Sequence, residues 1–482
     1  MAIAVGVPLV LALAIPIARR TFSVETDGPS LAKLSGAAAS AAATAPPPPT
    51  LAGLDLAKIE LKESGATAPL PDKKVAKLAI DPALQRVADA VMSRHHLPEA
   101  AVVMMDVETG KVIAYASHIE KGPKRDLAIE ATAPAASVFK VVTGTSLVEN
   151  ANATPDQKEC YSGGEQRLLA QDLVPDPRRD RWCTTLAGAM GRSINTVFAR
   201  LAVSQLKPSQ LEETARALGF GSALPFDVPV QPSALKFPDD PLGFARTAAG
   251  FWNTTLSPLH AAWLGAAIAR GGEPVRPVLV TDIVDDGKVQ WSAPTSLAQK
   301  RVMKADTAHA ISTMMDMTVS DGTSYRAFHD ARGRSFLPGV SVAGKTGTLT
   351  DASAQRFYTW FAGFAPSKPM VLPDAQKEAQ KEAQKDGHEP TQPRKVSFGV
   401  LVVNDPKWTI KANVLAREVL RAYFAGQHVP GVTAPPTSDK SDKAEKSEKS
   451  EKSEKRADQT RRGGPPATST APATKQRRQR GS

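Results

Sequence analysis

Apolar residues in this chain fall into three regimes: an unbroken run at the start, a long middle with helix and strand periods, and a terminal stretch with almost none. Ala2 to Ala18 (AIAVGVPLVLALAIPIA) carries no charge over 17 residues, the lower limit for crossing a bilayer and longer than most buried helices. Pro8 and Pro16 lie near its ends, where a membrane helix tolerates them. We expect residues 1–20 to be an uncleaved membrane anchor. The alternative is a secretory signal peptide, although its small-residue cleavage candidates (SGAAASAAATA) lie about twenty residues further on. Residues 21–74 read as a spacer, because small residues and four consecutive prolines make a stiff segment with little bulk to pack.

Order is expected from Val75 to residue 428. Asp81 followed by Pro82 is a helix start, and Leu84, Val87, Val91 and Met92 form its apolar stripe. AAVVMMDVETGKVIAYAS predicts two strands joined at Glu108-Thr109-Gly110. LHAAWLGAAIAR predicts a helix opened by Ser257-Pro258 and closed by Gly271-Gly272, and KADTAHAISTMMDMTVSDGTS a helix ending at a Gly322 turn. SVAGKTGTLT (341–350), RFYTWFAGFA and VSFGVLVVN predict strands, and ANVLAREVLRAYF a closing helix. Residues 367–395 are polar and read as a solvated insertion at a hairpin tip. In the last segment, 429–482, lysines recur at 440, 443, 446, 449, 452 and 455. That period of three misses a helix and there is nothing to bury, so a disordered charged tail is expected.

A hydrophobic content of 42% supports a real core, and the net charge of +11 raises the question of an anionic partner. The 48 residues from Pro435 hold 13 Lys and Arg against seven Asp and Glu, so much of that charge lies in the tail. No aromatic-studded basic stripe or zinc-finger spacing accompanies it, which argues against nucleic acid. Arg19 and Arg20 follow the apolar run and no Lys or Arg precedes it. The positive-inside rule then places the domain in the cytoplasm unless a basic leader precedes Met1, which is our expectation. The two cysteines, Cys160 and Cys183, are either buried thiols or, if the first helix delivers the chain to an oxidising compartment, a pair.

Ser-x-x-Lys occurs four times, at Ser30-Lys33, Ser137-Lys140, Ser204-Lys207 and Ser233-Lys236. Only Ser137-Lys140 is followed by both Ser193-x-Asn195 and Lys345-Thr346-Gly347 at a domain's spacing. An alcohol is a weak nucleophile until a base removes its proton. If Ser137 opens a helix, Lys140 lies one turn on, roughly 5 Å along the axis. Lysine normally holds its proton to about pH 10.4, but burial and a neighbouring cation lower that value. Ser193 and Asn195 point to one side in a strand or turn; alternatively, Ser-Ile-Asn is a helix cap. Lys345 offers a fixed positive charge, and Thr346 and Thr348 offer hydroxyls, suited to a ligand with a free carboxylate. Gly347 leaves room for a guest strand. The competing reading of these last residues is an exposed turn.

In that order, the three motifs resemble those of active-serine penicillin-recognising enzymes, and the chain resembles the transpeptidase domain of penicillin-binding proteins. The helix and hairpin of LAIDPALQRVADAV and AVVMMDVETGKVIAYAS are similar to the opening of such domains. The resemblance implies an α+β, β-lactamase/transpeptidase-like fold, an antiparallel sheet flanked by helices with a helical subdomain. It implies D,D-transpeptidation of peptidoglycan stem peptides through an acyl-enzyme on Ser137, with Lys140 as base and Ser193 in proton traffic. Asn195 would hold the donor backbone, and the backbone N–H groups of Ser137 and Thr348 would form the oxyanion hole, with substrate added along the strand. β-Lactam antibiotics would be ligands, with no metal or cofactor. A separate glycan polymerase is expected, because fewer than 75 residues precede the domain here. The site would face the periplasm from a single-pass inner-membrane protein.

Related proteins often carry cysteines between the first two motifs, where Cys160 and Cys183 lie. A D,D-carboxypeptidase or β-lactamase would share the motifs, and a non-catalytic penicillin-binding sensor or wall-assembly scaffold is the competitor from another class. β-Lactamases usually lack an anchor, spacer and insertion. Among other residues, His95-His96 is expected to end a helix, and Trp252 and Trp360 to lie in the core. His118, His260 and His309 have no carboxylate or cysteine at metal-ligand spacing.

Overall fold

The computed structural model describes residues 51–164, 167–294, 298–370 and 394–425. The expected anchor, the Ala/Pro-rich part of the spacer up to Thr50, residues 371–393 of the insertion and the tail from 429 lie outside the described residues. The chain enters through β1 (Glu60–Lys62), β2 (Gly65–Pro69) and β3 (Val75–Leu78), then α1 (Pro82–Arg94) and the hairpin β4 (Glu99–Asp106) and β5 (Val112–Ile119). A helical region follows: β6 (Ala133–Pro134), α2 (Lys140–Ala151), β7 (Lys158–Tyr161), β8 (Trp182–Thr185), α3 (Leu186–Arg192), α4 (Asn195–Gln205), α5 (Pro208–Ala217) and α6 (Pro241–Ala248). The chain returns through β9 (Thr255–Leu256), α7 (Pro258–Ala269), β10 (Val280–Asp285), β11 (Lys288–Ser292), α8 (Ala305–Ser320) and the short α9 (Tyr325–Phe328). It ends in β12 (Ala343–Asp351), β13 (Arg356–Ala365), β14 (Val396–Asn404) and α10 (Ala412–Phe424).

The helix starts follow from their caps. Asp81 accepts the N–H groups of Ala83 and Leu84 at 2.8 and 3.0 Å, and Ser257 accepts that of His260 at 3.1 Å, each followed by proline at the first helical position. The central sheet is antiparallel in the order β12-β13-β14-β4-β5, so strands from both ends of the domain share it. β14 sits in its middle with all nine residues buried, which explains why VSFGVLVVN shows no alternation. On one face Val400, Phe398 and Phe361 meet Val91 and Met92 of α1 and Leu415, Val419 and Leu420 of α10. On the other lies α7, apolar all round and buried almost throughout. Two backbone approaches seat it: a Cβ on Gly265 would come within 2.2 Å of the Gly363 carbonyl, and one on Gly399 within 2.0 Å of the Pro258 carbonyl. The α+β architecture expected from sequence is thus present.

Two expectations need correction. Residues 51–74 are folded, not spacer: β2 pairs with β3, whose other neighbour is β10, and Ala66, Ala68 and Leu70 are buried against Tyr115 and Leu279. Small alanines on short strands have the composition of a linker, and only their tertiary partners distinguish the two. Trp252 is 45% exposed, not core, whereas Trp360 is buried and donates its indole N–H to the Pro134 carbonyl at 2.8 Å. The helix expected to end at His95-His96 does so, with His95 at the C-cap and His96 at φ +47° beside Glu120.

His260 of α7 is buried between Ser233 Oγ (2.7 Å from Nδ1) and the Leu218 carbonyl (2.7 Å from Nε2). A carbonyl only accepts, so Nε2 carries the proton and Nδ1 accepts from the Ser233 hydroxyl. Burial lowers the pKa of this ring from 6.5 to about 4. The unfolded chain therefore binds the proton first as pH falls. This contribution is complete above pH 6.5 and lost toward pH 4, by about 3 kcal/mol at most. Urea unfolding should show stability falling between pH 7 and 5, with a flatter dependence in His260→Gln; equal slopes would contradict it.

Candidate active site

Ser137 lies in the tight turn Ala136–Phe139, and α2 begins at Lys140, so the nucleophile candidate sits just outside the α-helix rather than on its first turn. Ala136 takes φ +49°, a left-handed conformation that costs a non-glycine residue about 1 kcal/mol or more. The turn is held there from two sides. A Cβ on Gly250 would lie 2.4 Å from the Ala136 carbonyl oxygen, and one on Gly347 would lie 3.2 Å from the Ala136 Cβ. Glycine at 250, itself at φ +82°, and at 347 lets a loop and a strand close on this turn. Ser137 remains partly exposed.

Lys140 is completely buried. Its Nζ donates to Asn195 Oδ1 at 2.6 Å and to the Ala249 carbonyl, and lies 2.8 Å from Ser137 Oγ. Burial first, and the charge of Lys345 second, hold its pKa well below the ordinary lysine value. Asn195 in turn donates its amide to the Gly164 carbonyl at 3.1 Å. Ser193 is the C-cap of α3 at φ +59° and Asn195 opens α4, so the Ser-x-Asn segment is the joint between two helices. Ser-Ile-Asn is thus also a helix start, with Ile194 at the N-cap of α4 making no side-chain cap hydrogen bond.

Lys345 stands on β12, the edge of the central sheet, and its Nζ donates to Ser193 Oγ at 2.9 Å and to the Thr346 carbonyl at 2.8 Å. It is fully buried, which lowers its pKa to about 7. Desolvation thus opposes the positive charge expected at this position. Thr346 is partly exposed and Thr348 exposed. Hydrogen bonds thus join Ser137, Lys140 and Asn195, and join Lys345 to Ser193, while Gly347 packs on the turn at Ala136.

Cys160 and Cys183 form a disulfide across the paired strands β7 and β8. Beyond β7, the Gly163 carbonyl accepts from Thr196 at 2.8 Å, next to the Gly164–Asn195 contact. The excursion between the strands is fastened by Arg200 of α4, which donates to Asp180 at 2.6 and 3.1 Å, to the Asp172 carbonyl at 2.6 Å and to the Cys160 carbonyl at 3.2 Å. Both charged side chains are under a tenth exposed. The Arg200 guanidinium holds the Asp180 carboxyl down at about 2. Sequence reading missed Ala249, Gly163, Gly164 and the Arg200–Asp180 pair, because backbone carbonyls have no motif and one ion pair among many charges has no period. It also missed Thr323, whose hydroxyl lies 2.6 Å from that of Thr346.

The protein thus combines a serine-bearing turn beside a buried lysine with an antiparallel sheet covered by helices, an α+β architecture. Residues 100–391 match the penicillin binding protein transpeptidase domain family, and the chain belongs to that family. It is 26% identical over 341 residues to the peptidoglycan D,D-transpeptidase PbpA of Mycobacterium tuberculosis, a match covering 60% of this chain and 64% of that protein. The PbpA of Mycolicibacterium smegmatis is 26% identical over 325 residues. The chain thus spans less than two thirds of these curated relatives. The D,D-transpeptidase domain of a peptidoglycan glycosyltransferase from Eggerthella lenta superposes with a TM-score of 0.57 at 22% identity, covering 73% of this chain and 83% of that one. M. tuberculosis penicillin-binding protein A in its imipenem acyl-enzyme complex superposes with a TM-score of 0.56 at 22% identity, covering 72% and 79%. These likenesses speak to the fold.

Breaking a buried ion pair leaves an uncompensated charge, which typically costs 3–5 kcal/mol. Asp180→Asn should therefore lower urea-derived stability by about 3 kcal/mol and expose residues 164–181 to limited proteolysis. Unchanged stability and protease resistance would show that the pair does not hold the excursion.

Proposed function

We propose that this protein is a serine D,D-transpeptidase that crosslinks peptidoglycan stem peptides through an acyl-enzyme on Ser137. The observation that carries the reading is the buried Lys140 amine within hydrogen-bond reach of both Ser137 Oγ and Asn195 Oδ1. Neutral Lys140 takes the Ser137 proton as Oγ attacks the penultimate D-Ala carbonyl of a stem peptide. The oxyanion forms against the backbone N–H groups of Ser137 and Thr348. Ser193, held by Lys345, passes a proton to the leaving D-Ala nitrogen as the C–N bond breaks. An amine of a second stem then attacks the ester, gives up a proton through the same groups, and frees Ser137. Asn195 orients the donor backbone, while Thr346 and Thr348 present hydroxyls to its terminal carboxylate and Gly347 leaves the strand edge clear.

The names of the relatives support this reading: PbpA of M. tuberculosis is a peptidoglycan D,D-transpeptidase, and its structural counterpart has been seen as imipenem and penicillin G acyl-enzymes. β-Lactams are accordingly proposed as acylating ligands. In this reading residues 1–20 anchor the chain in the inner membrane, the catalytic domain faces the periplasm, and a separate protein polymerises the glycan.

Fluorescent penicillin followed by peptide mapping should label Ser137, and Lys140→Ala should abolish labelling; labelling of Ser137 in that variant would remove Lys140 as base. A stem-peptide assay should give crosslinked dimer with wild type and none with Ser137→Ala. Shortened monomer alone would indicate a carboxypeptidase, rapid turnover of a chromogenic cephalosporin a β-lactamase, and growth supported equally by Ser137→Ala a scaffold.

The lysine pair sets the pH profile. Acylation needs neutral Lys140, so its rate rises with pH through the Lys140 pKa, which the Lys345 charge helps to depress. Lys345→Gln removes that cause, so the acid limb of penicillin acylation should move to higher pH. A limb that stays put or moves lower would contradict the coupling.

A further inference from the structure

Thr323 lies in the turn after α8, at the rim of the cleft, and is exposed. Its Oγ1 stands 2.6 Å from Thr346 Oγ1 and 3.3 Å from the Gly191 carbonyl, which also accepts the Thr323 backbone N–H at 3.0 Å. The turn is fixed where it is. A Cβ on Gly322 would fall 2.2 Å from the Gly191 oxygen, and one on Gly191 2.7 Å from the Met317 carbonyl carbon, so glycine at both positions permits the contact. Arg192 and Asp321 close it from outside at 2.5 Å. Thr323 therefore joins the edge strand at Thr346 to the helix that ends in Ser193.

Each hydroxyl has one proton to donate. In one arrangement Thr346 donates to Thr323 and Thr323 donates to the Gly191 carbonyl, so Thr346 has no proton left for a ligand. In the other, Thr323 donates to Thr346, and the Thr346 proton is free to point outward. Little is lost in the exchange: the bond surrendered is the long one of 3.3 Å, and the Gly191 carbonyl keeps the Thr323 N–H. A charged acceptor at Thr346 selects the second arrangement, because a hydrogen bond to a carboxylate is about twice as strong as a neutral one, and the donation from Thr323 strengthens it further.

We propose that Thr323 is a positioning residue for carboxylate recognition: its hydroxyl reverses direction on binding and turns Thr346 into a donor to the terminal carboxylate of the substrate or β-lactam. This rests on the transpeptidase reading of the site. Its role is separate from acyl transfer, so it should govern which ligands are captured rather than whether Ser137 reacts.

The test compares penicillin G with its methyl ester, which lacks the carboxylate charge, by second-order acylation rate constants on the full-length protein. Thr323→Val, which removes the hydroxyl at nearly constant shape, should reduce the acid-to-ester rate ratio about fivefold, the size expected for one neutral hydrogen bond. Thr323→Ser should restore the ratio to near wild type, and the ester rate should barely move in either variant. Equal slowing of both ligands by Thr323→Val would show a merely structural joint, and an unchanged ratio would show that Thr346 needs no partner; either overturns the proposal. Failure of the underlying reading would look different, with wild-type Ser137 acylated by neither ligand.

Discussion

The site depends on one amine being kept out of water. Lys140 has no solvent exposure; Asn195 Oδ1 and the Ala249 carbonyl accept from its nitrogen, and the Ser137 hydroxyl, 2.8 Å away, can donate to the lone pair of the neutral amine. Removing a charged ammonium from water with no carboxylate against it among the described residues is costly, so the neutral amine is favoured. Those three partners come from the nucleophile turn, the start of α4 and the end of α6. Any displacement of these elements would readmit water and restore the proton. The packing of the helical region is in this sense part of the chemistry.

Several features of the fold serve that burial. Glycines at 250 and 347 let a loop and the edge strand close on a strained turn at Ala136. The hairpin of β7 and β8, stapled by its disulfide and tied to α4 through Arg200, brings the Gly164 carbonyl to the Asn195 amide. Lys345, buried a short distance away against Ser193, works on Lys140 through charge rather than contact. Two buried lysines oppose each other's protonation, so a charged Lys345 and a neutral Lys140 are mutually consistent. Asn195 touches the nitrogen of Lys140 and Ser193 that of Lys345.

Much of this was legible in the chain before any coordinates. Strong caps and long periodic segments marked α1, α7 and α10, and the dense apolar strands β13 and β14 could hardly be anything else. Three motifs in order named Ser137, Lys140 and Asn195, which hydrogen bonds join, and Ser193 and Lys345, which are joined likewise. What escaped has physical reasons. The strands within 51–74 are short, and only their pairing with each other and with β3 distinguishes them from spacer. Trp252 is exposed on a loop whose course depends on Gly250, so its aromatic character pointed the wrong way. The lowered pKa of Lys345 arises from desolvation by elements far apart in sequence, and Thr323 becomes relevant only where α8 ends beside β12.

The most direct test of the account is the titration of the two lysines themselves, followed by the chemical shift of isotope-labelled lysine side chains, with Lys140→Ala and Lys345→Gln providing assignments. The account predicts that Lys140 is neutral at pH 7 and that Lys345 titrates near 7. A Lys140 that keeps its proton to about pH 10, as an exposed lysine does, would contradict it.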